Sequence, residues 1–188
     1  MDAQSAANPN QRSSRAGSLA FPRVAPEHAP ALFGLLNDWE VVRTLAEVPW
    51  PLALADVQRH VAHTSGGPVP VENFVVFAAE EPVGVVSLKP PGSGDPPRTM
   101  PRLGYWLGRA HWGRGLGSRA VGWLVDYGRA RFPGRTIGAG VFADNPASRR
   151  VLEKLGFRQV RTYDTFCRAR GVAVACSDMH LDPPGASA

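Results

Sequence analysis

Residues 102–120 read RLGYWLGRAHWGRGLGSRA, and this stretch decides the fold. A strand pattern over 102–109 leads into glycines at 113, 115 and 117, and then into apolar residues at helical spacing. In a strand followed by a glycine loop and a helix, the backbone N–H groups at the helix N-terminus point toward the loop. These unpaired donors and the helix dipole favour an anion there. We therefore interpret the glycines as a close backbone approach to a phosphate-bearing ligand.

Three kinds of phosphate loop fit this pattern to different degrees. The P-loop needs Gly-x-x-x-x-Gly-Lys-Ser/Thr, and it is excluded because the stretch contains no lysine. The dinucleotide fingerprint nearly fits Gly113, Gly115 and Ser118, with Asp144 after the next strand as its acidic residue. Its late place in the chain argues against that interpretation but leaves it open.

The third kind of phosphate loop is indicated by a resemblance to a known family. HWGRGLGSRAV (111–121) resembles the acetyl-CoA pyrophosphate loop of the GNAT N-acetyltransferases, and GYWLGRAHWGRG (104–115) resembles its ribosomal-protein alanine N-acetyltransferase branch. A second stretch, ADNPASRRVLEKLGF (143–157), is similar to the family's later Asn-x-x-Ser/Ala motif and the helix that ends in Gly-Phe. The resemblance extends loosely over residues 18–182. A glycine turn without any ligand is the alternative for the loop taken alone.

The resemblance implies where a cofactor would bind. Acetyl-CoA would serve as cosubstrate, with its diphosphate over the loop and its pantetheine arm between two strands that splay apart. The implied cofactor-binding residues are Trp106, Leu107, Trp112, Gly113, Arg114, Gly115, Leu116, Gly117, Ser118 and Asn145. Asn145 is equally well explained as a helix N-cap, and the two roles are compatible.

The catalytic residues are less well marked. Many relatives carry Glu two residues before Gly-Tyr-Trp and Tyr seven residues after the motif's Asn, but this chain has Arg102 and Leu152 there. The ribosomal-protein branch instead implies Glu72 as the base and Ser148 as the proton donor to the leaving thiolate. The alternatives are a solvated loop carboxylate and a first-turn serine with a local hydrogen bond.

The periodicity predicts one α/β domain with a mixed central sheet flanked by helices, in the order β, helices, ββ, β, α, β, α, ββ. The resemblance adds that the middle strands splay. We expect a disordered tail at 1–17, a GNAT-like domain at 18–183 and a short tail at 184–188. Strands over 73–80 and 85–90 are predicted to form a hairpin with a tight turn at 81–84, and the runs 157–166 and 172–181 a second hairpin with a turn at 168–171.

Three further elements are predicted from the apolar pattern. Residues 19–24 form a short strand, and Trp39, Val42 and Leu45 lie on a second short helix after the first one. The helix after the glycine loop has one apolar face, formed by Leu116, Ala120, Leu124, Tyr127 and Ala130.

The charge is divided along the chain. Residues 1–97 carry a balance of −4 and residues 98–170 a balance of +11. The acidic part suits a cationic amine and the basic part a phosphate-rich cofactor. Nucleic-acid binding is a further possibility for the basic half, but aromatic and basic residues are not interleaved there, so we expect no nucleic-acid partner.

Composition also argues against a membrane, secreted or metal-binding protein. No apolar run approaches the ~20 residues that cross a bilayer, and the N-terminus lacks a secretory pattern, so we expect no membrane partner and a cytoplasmic protein. Cys167 and Cys176 have no metal-ligand spacing, which predicts no metal site.

These observations predict an acetyl-CoA-dependent N-acetyltransferase that acts by direct attack of a primary amine in a ternary complex. The acceptor stays open among a protein N-terminus, such as that of a ribosomal protein, a free amino acid, a polyamine and an aminoglycoside. A monomer and a homodimer fit equally. The alternative function is a catalytically silent acyl-CoA-binding module, which Arg102 and Leu152 would explain.

Overall fold

The structure is a computed structural model that describes residues 18–66, 71–93 and 99–185. The predicted tail at 1–17 and the last residues of the predicted C-terminal tail lie outside these ranges. In chain order the strands and α-helices are β1 (Leu19–Ala20), α1 (Ala29–Leu36), α2 (Trp39–Val42), α3 (Leu54–Gly66), β2 (Glu72–Ala78), β3 (Glu81–Lys89), β4 (Arg102–Leu107), α4 (Leu116–Arg131), β5 (Ile137–Phe142), α5 (Pro146–Lys154), β6 (Arg158–Cys167) and β7 (Val172–Leu181).

The seven strands form one mixed sheet in the order β1-β2-β3-β4-β5-β7-β6. Every neighbouring pair is antiparallel except β4 and β5, which run parallel. The larger apolar cluster joins one face of the sheet to α4 and α5, whereas a second cluster joins β2 and β3 to α1, α2 and α3 on the other face. The predicted α/β domain with a mixed sheet and flanking helices is confirmed.

Helix α4 has a buried stripe that differs slightly from the predicted one. Leu116, Ala120 and Leu124 are buried as expected, but Ala130 is exposed. The stripe ends at Gly128, where an added Cβ would lie 3.2 Å from Ile137 Cδ1. The missing side chain lets the helix lie close to the sheet, since a helix packs through the residues that point at its neighbour.

The hairpin between β2 and β3 corrects the predicted turn. The turn is Ala79–Glu80, with φ values of 48° and 72°, so the predicted turn residues 81–84 belong to β3. Two successive residues with positive φ make the tight connection that matches the twist of a hairpin. Pro82 is accommodated beside an irregularity in the β2–β3 register at Val76/Phe77.

A strand and a helix are each shorter in the structure than predicted. The strand predicted over 19–24 is reduced to Leu19–Ala20 and one isolated bridge between Arg23 and Phe74, because Pro22 has no N–H to give to the ladder. The helix predicted from Trp39 to Leu45 ends at Val42.

Candidate active site

The glycine loop leads directly into α4. Gly113 and Gly115 both have a φ of +72°, a conformation that favours glycine, and Gly115 is the N-cap of the helix. A Cβ at either position would meet no atom within 4 Å, so the loop backbone faces open space. The first turn of α4 contains no acidic residue. Its unpaired N–H groups therefore form a site suited to an anion.

Basic side chains lie beside this loop. Arg114 and Arg119 line a cavity of about 290 Å³ together with His111. The Trp112 indole, which is 45% exposed, donates a hydrogen bond from Nε1 to the Leu107 carbonyl at 2.8 Å. Trp112 thereby ties the loop to the end of β4.

A gap opens between β4 and β5 next to the loop. The two strands pair only at Arg102 with Gly138 and at Leu103 with Ala139. Beyond these pairs each strand continues with its other neighbour alone, β4 with β3 and β5 with β7. The divergence matches the splay that the resemblance implies.

The gap exposes unpaired backbone groups. Gly108 N–H donates to the Val83 carbonyl at 2.9 Å, so the even-numbered residues of β4 direct their backbone groups toward β3. The N–H and carbonyl of Tyr105 and the N–H of Leu107 consequently point into the gap. Backbone donors and acceptors on such an edge are suited to an amide-containing chain that lies along the strand.

Ser148 faces the same region from the start of α5. Its backbone N–H donates to Asn145 Oδ1 at 3.1 Å, which confirms that Asn145 caps the helix. The Ser148 Oγ lies 2.9 Å from the hydroxyl of Tyr105 on β4. Burial, opposed by the hydrogen bond with Ser148, raises the pKa of Tyr105 to about 12, so this hydroxyl keeps its proton at neutral pH.

Tyr105 was missed by sequence reasoning. It belongs to the quoted Gly-Tyr-Trp, but nothing local shows that its hydroxyl reaches a residue 43 positions later. Trp106 faces the opposite side of the sheet and packs against the cluster of α1, α2 and α3, so its side chain does not face the Tyr105 hydroxyl. Leu107 and Leu116 are buried.

The structure places Glu72 in a different environment from Ser148. Glu72 lies at the start of β2, with its carboxylate held by Arg23 Nη2 at 2.7 Å, by the Tyr127 hydroxyl, and by Arg131 Nε at 3.3 Å. In register Glu72 pairs with Leu88 on β3, at the end of the sheet where β4 and β5 are still joined. Glu72 and Ser148 are therefore not brought together.

The surroundings of Glu72 also set its protonation. Burial raises the pKa of the Glu72 carboxyl, but the hydrogen bonds from Tyr127 and Arg23 and the charges of Arg23 and Arg131 outweigh it, so that the pKa lies below its ordinary value. A carboxylate held in its charged form by three partners is a weak base. These contacts fit a structural role.

We expect Glu72→Gln to lower the free energy of unfolding by about 1–2 kcal/mol, because both arginines are more than half exposed and their contribution is screened. Since folding depresses this pKa, the difference from wild type is full above pH 4.5 and diminishes as the pH falls below it. Urea unfolding between pH 3 and 7 measures this, with the exposed Asp126→Asn as control. A turnover loss of more than about tenfold at unchanged stability would contradict the structural role.

On the face opposite α4, charged residues from three strands, β4, β7 and β6, form a row. Arg102 Nη1 lies 2.8 Å from Oδ1 of the buried Asp178, and Arg161 Nε donates to Asp178 Oδ2 at 3.0 Å. Burial raises the pKa of Asp178, but the two arginines outweigh this effect and hold it below its ordinary value. Sequence reasoning missed Asp178, although Cys176, Asp178 and His180 alternate along β7 as residues of one face do.

Trp50, which is 39% exposed, makes an edge-to-face contact with Trp39, with ring centroids 5.7 Å apart. Cys167 and Cys176 are free and buried.

Metal and membrane features are lacking within the described ranges. No group of three or more His, Cys, Asp or Glu side chains in the described part of the chain is arranged to hold a metal ion. Within residues 18–66, 71–93 and 99–185, no helix is both long and apolar enough to cross a bilayer.

Comparison with known proteins gives a family and a fold. The family model for the acetyltransferase (GNAT) domain matches residues 19–158. The uncharacterized N-acetyltransferase p20 of Bacillus licheniformis is 38% identical over 69 residues, which are 37% of this chain and 39% of p20. The chain therefore matches well under half the length of this relative.

Solved structures share the fold at low identity. The acetyltransferase from Salmonella typhimurium that modifies the N-terminal serine of ribosomal protein L7/L12 has a TM-score of 0.71 at 20% identity, over 88% of this chain and 95% of its own. The yncA structure from Salmonella typhimurium, solved with its cofactor acetyl-CoA, has a TM-score of 0.68 at 20% identity, over 90% and 96% of the two chains.

Proposed function

Because this chain belongs to the GNAT acetyltransferase family, we propose that it transfers the acetyl group of acetyl-CoA to a primary amine. The observation that carries the proposal is the gap between β4 and β5, which opens beside a glycine loop at the N-terminus of α4. An anion site and a strand edge with free backbone groups are what a diphosphate joined to an amide-containing arm requires.

The residues of the loop and gap fit this cosubstrate. Gly113, Gly115 and the first-turn N–H groups of α4 would hold the diphosphate, with Arg114 at the rim. The N–H and carbonyl of Tyr105 and the N–H of Leu107 would pair with the amides of the pantetheine arm. When bound, acetyl-CoA supplies an activated thioester, and the chain has only to position it and assist the exchange.

The reaction needs a neutral amine and a stabilised leaving group. As the new C–N bond forms and the C–S bond breaks, the amine loses a proton and the sulfur gains one, directly or through water. The hydroxyls of Ser148 and Tyr105 form the hydrogen-bonded pair suited to donating to the developing thiolate. With Glu72 occupied by its arginines, no side chain is assigned as base; an α-amine with a pKa of ~8 is partly neutral without one.

Two observations each support a different class of acceptor amine. The fold is shared with an acetyltransferase that modifies a ribosomal-protein N-terminus, which supports a peptide α-amine. The charged row around Arg102 and Asp178 supports a small amine that carries its own anionic group.

The test is release of CoA thiol from acetyl-CoA, followed with a thiol-reactive chromophore over a panel of acceptors. The panel comprises peptides beginning with Ala or Ser, free amino acids, spermidine and an aminoglycoside. We expect saturable release at least about a hundredfold above the acceptor-free rate for one class. Tight acetyl-CoA binding by calorimetry without release for any acceptor would support the silent acyl-CoA-binding module instead.

A further inference from the structure

One face of the sheet carries a charged row at the level where β4 and β5 part. The row consists of Arg102 on β4, Asp178 on β7 and Arg161 on β6, and it lies on the face opposite α4. Asp178 pairs in register with Gly140, the first residue of β5 beyond the last β4–β5 pair. The arginine–aspartate row therefore borders the gap from the side away from the main core.

Glycines on β5 make room for this row. A Cβ at Gly138 would lie 2.9 Å from Arg102 Nη1, and a Cβ at Gly140 would lie 2.9 Å from the Tyr163 hydroxyl and 3.7 Å from Arg102 Nη2. The guanidinium of Arg102 thus lies across β5 on its way to Asp178. Any larger residue at Gly138 would displace it, so the row depends on backbone without side chains at this level.

The row has more positive than negative charge. Two guanidinium groups share one carboxylate, which is 3% exposed, and Arg161 is 69% exposed. The neighbouring cation on this face, Lys89, has its own partner in Glu47 at 2.8 Å. His180 also faces Asp178, with Nε2 3.5 Å from Oδ1. The surplus charge is therefore positive whether or not His180 is protonated.

Both guanidinium groups also have N–H donors that Asp178 does not use. Arg102 contacts Asp178 Oδ1 only through Nη1, at 2.8 Å, and Arg161 contacts Oδ2 only through Nε. Each guanidinium carries five N–H donors in a planar fork that matches a carboxylate. Within the described ranges, these remaining donors have no acceptor.

We propose that the arginine–aspartate row is a carboxylate-binding subsite, so that the acceptor is an amine that also carries a carboxylate, as an amino acid does. The proposal rests on the acetyl transfer proposed above and names its substrate class. Polyamines and aminoglycosides, which are cationic throughout, would be repelled by the surplus charge. A peptide N-terminus, whose own carboxyl is an amide, would lack the group that the row binds.

The test measures the binding of products, which needs no turnover. Calorimetry in the presence of CoA compares N-acetyl-L-alanine, N-acetyl-L-methionine and N-acetyl-L-phenylalanine with their C-terminal amides. We expect at least one acid to bind about tenfold or more tightly than its amide, because hydrogen bonds from a guanidinium to a charged carboxylate are stronger than those to a neutral amide. Arg161→Gln should reduce the ratio of acid to amide affinity to less than about threefold, while the ion pair between Arg102 and Asp178 is retained.

Arg158→Gln is the matched control. Arg158 is an exposed arginine on the same strand and face, but it has its own carboxylate in Asp182, with Nη2 2.7 Å from Oδ2. This variant should keep the preference for the acid. Equal binding of acid and amide, an equal loss in both variants, or no binding of any acid would overturn the subsite. Thiol release with peptide acceptors alone would overturn it while leaving acetyl transfer intact.

Discussion

Replacing Gly115 by aspartate is expected to weaken acetyl-CoA binding by about a hundredfold. The substitution puts a carboxylate at the N-cap of α4, on a loop whose backbone faces open space. At about 5 Å from one phosphate charge, and with an effective dielectric constant of about 20, the repulsion is about 3 kcal/mol, which is a factor of about a hundred in Kd. Calorimetric titration with CoA measures the change.

Gly134 offers a close control for the same substitution. It has a φ of +70°, also faces open space, and lies in the connection after the other end of α4. Gly134→Asp therefore shares the backbone strain of Gly115→Asp, including any loss in thermal stability, but not the proposed diphosphate. Its Kd should stay within about threefold of wild type.

Gly115→Asn separates charge from bulk. Asparagine tolerates the left-handed conformation about as well as aspartate and is neutral, so it should lose much less affinity. The loss in Gly115→Asp should also shrink at high salt, since screening weakens exposed charges. Equal losses in the Gly115 and Gly134 variants would contradict a diphosphate at this loop.

The elements with strong local signals were predicted from the sequence. The glycine loop and α4 follow from glycines that precede an apolar stripe, and β6 and β7 follow from two runs separated by a turn at residues 168–171. In these cases the deciding interactions lie within one turn of helix or one hairpin. One local feature was nevertheless misplaced: the β2–β3 turn falls at Ala79 and Glu80, whose positive φ values override the Pro and Gly signals that follow.

The candidate site was predicted in its backbone but not in its side-chain partners. Glu72 is held by Tyr127, 55 residues later, and Tyr105 meets Ser148 across 43 residues. Alternation along a strand indicates which residues share a face, but it does not show which element covers that face. The element that covers a face supplies the partners of a carboxylate on it, so a role for Glu72 could not be derived from its position in the sequence alone.

The division of charge along the chain does not map onto two sides of the molecule. The acidic part supplies α1, α2 and α3 on the face opposite α4, but β5, β6 and β7 of the later part contribute to the same face. Arg102 and Arg161, counted with the basic half, therefore lie on the side expected to be acidic. A sheet mixes the charges of distant segments because neighbours in the sheet need not be neighbours in the chain.

A second large effect is expected at the pair formed by Tyr105 and Ser148. Tyr105→Phe and Ser148→Ala are each expected to lower kcat by about a hundredfold, because each removes a hydroxyl from the hydrogen-bonded pair proposed to donate to the leaving thiolate. The Kd for acetyl-CoA should change little, since the proposed diphosphate contacts lie at the loop. Steady-state kinetics with the best acceptor and calorimetry with CoA separate the two quantities.

The double variant tests whether the hydroxyls act together. If Tyr105 works through Ser148, Tyr105→Phe combined with Ser148→Ala should be about as slow as the slower single variant, with the two losses far from additive. Tyr127→Phe is the control, because it removes a tyrosine hydroxyl bonded to Glu72 and should reduce stability without lowering kcat. A Ser148→Ala turnover within about twofold of wild type would remove Ser148 from the mechanism.

The pH dependence gives an independent check on the same pair. The pKa of Tyr105, raised to about 12, keeps its hydroxyl protonated throughout the usual assay range. At subsaturating acceptor the rate should therefore rise with pH only as the amine loses its proton, and level off above the amine's own pKa of ~8 for an α-amine. A falling limb between pH 8 and 10 would instead reveal an acid with a much lower pKa. The leaving thiolate would then depend on another group than this pair.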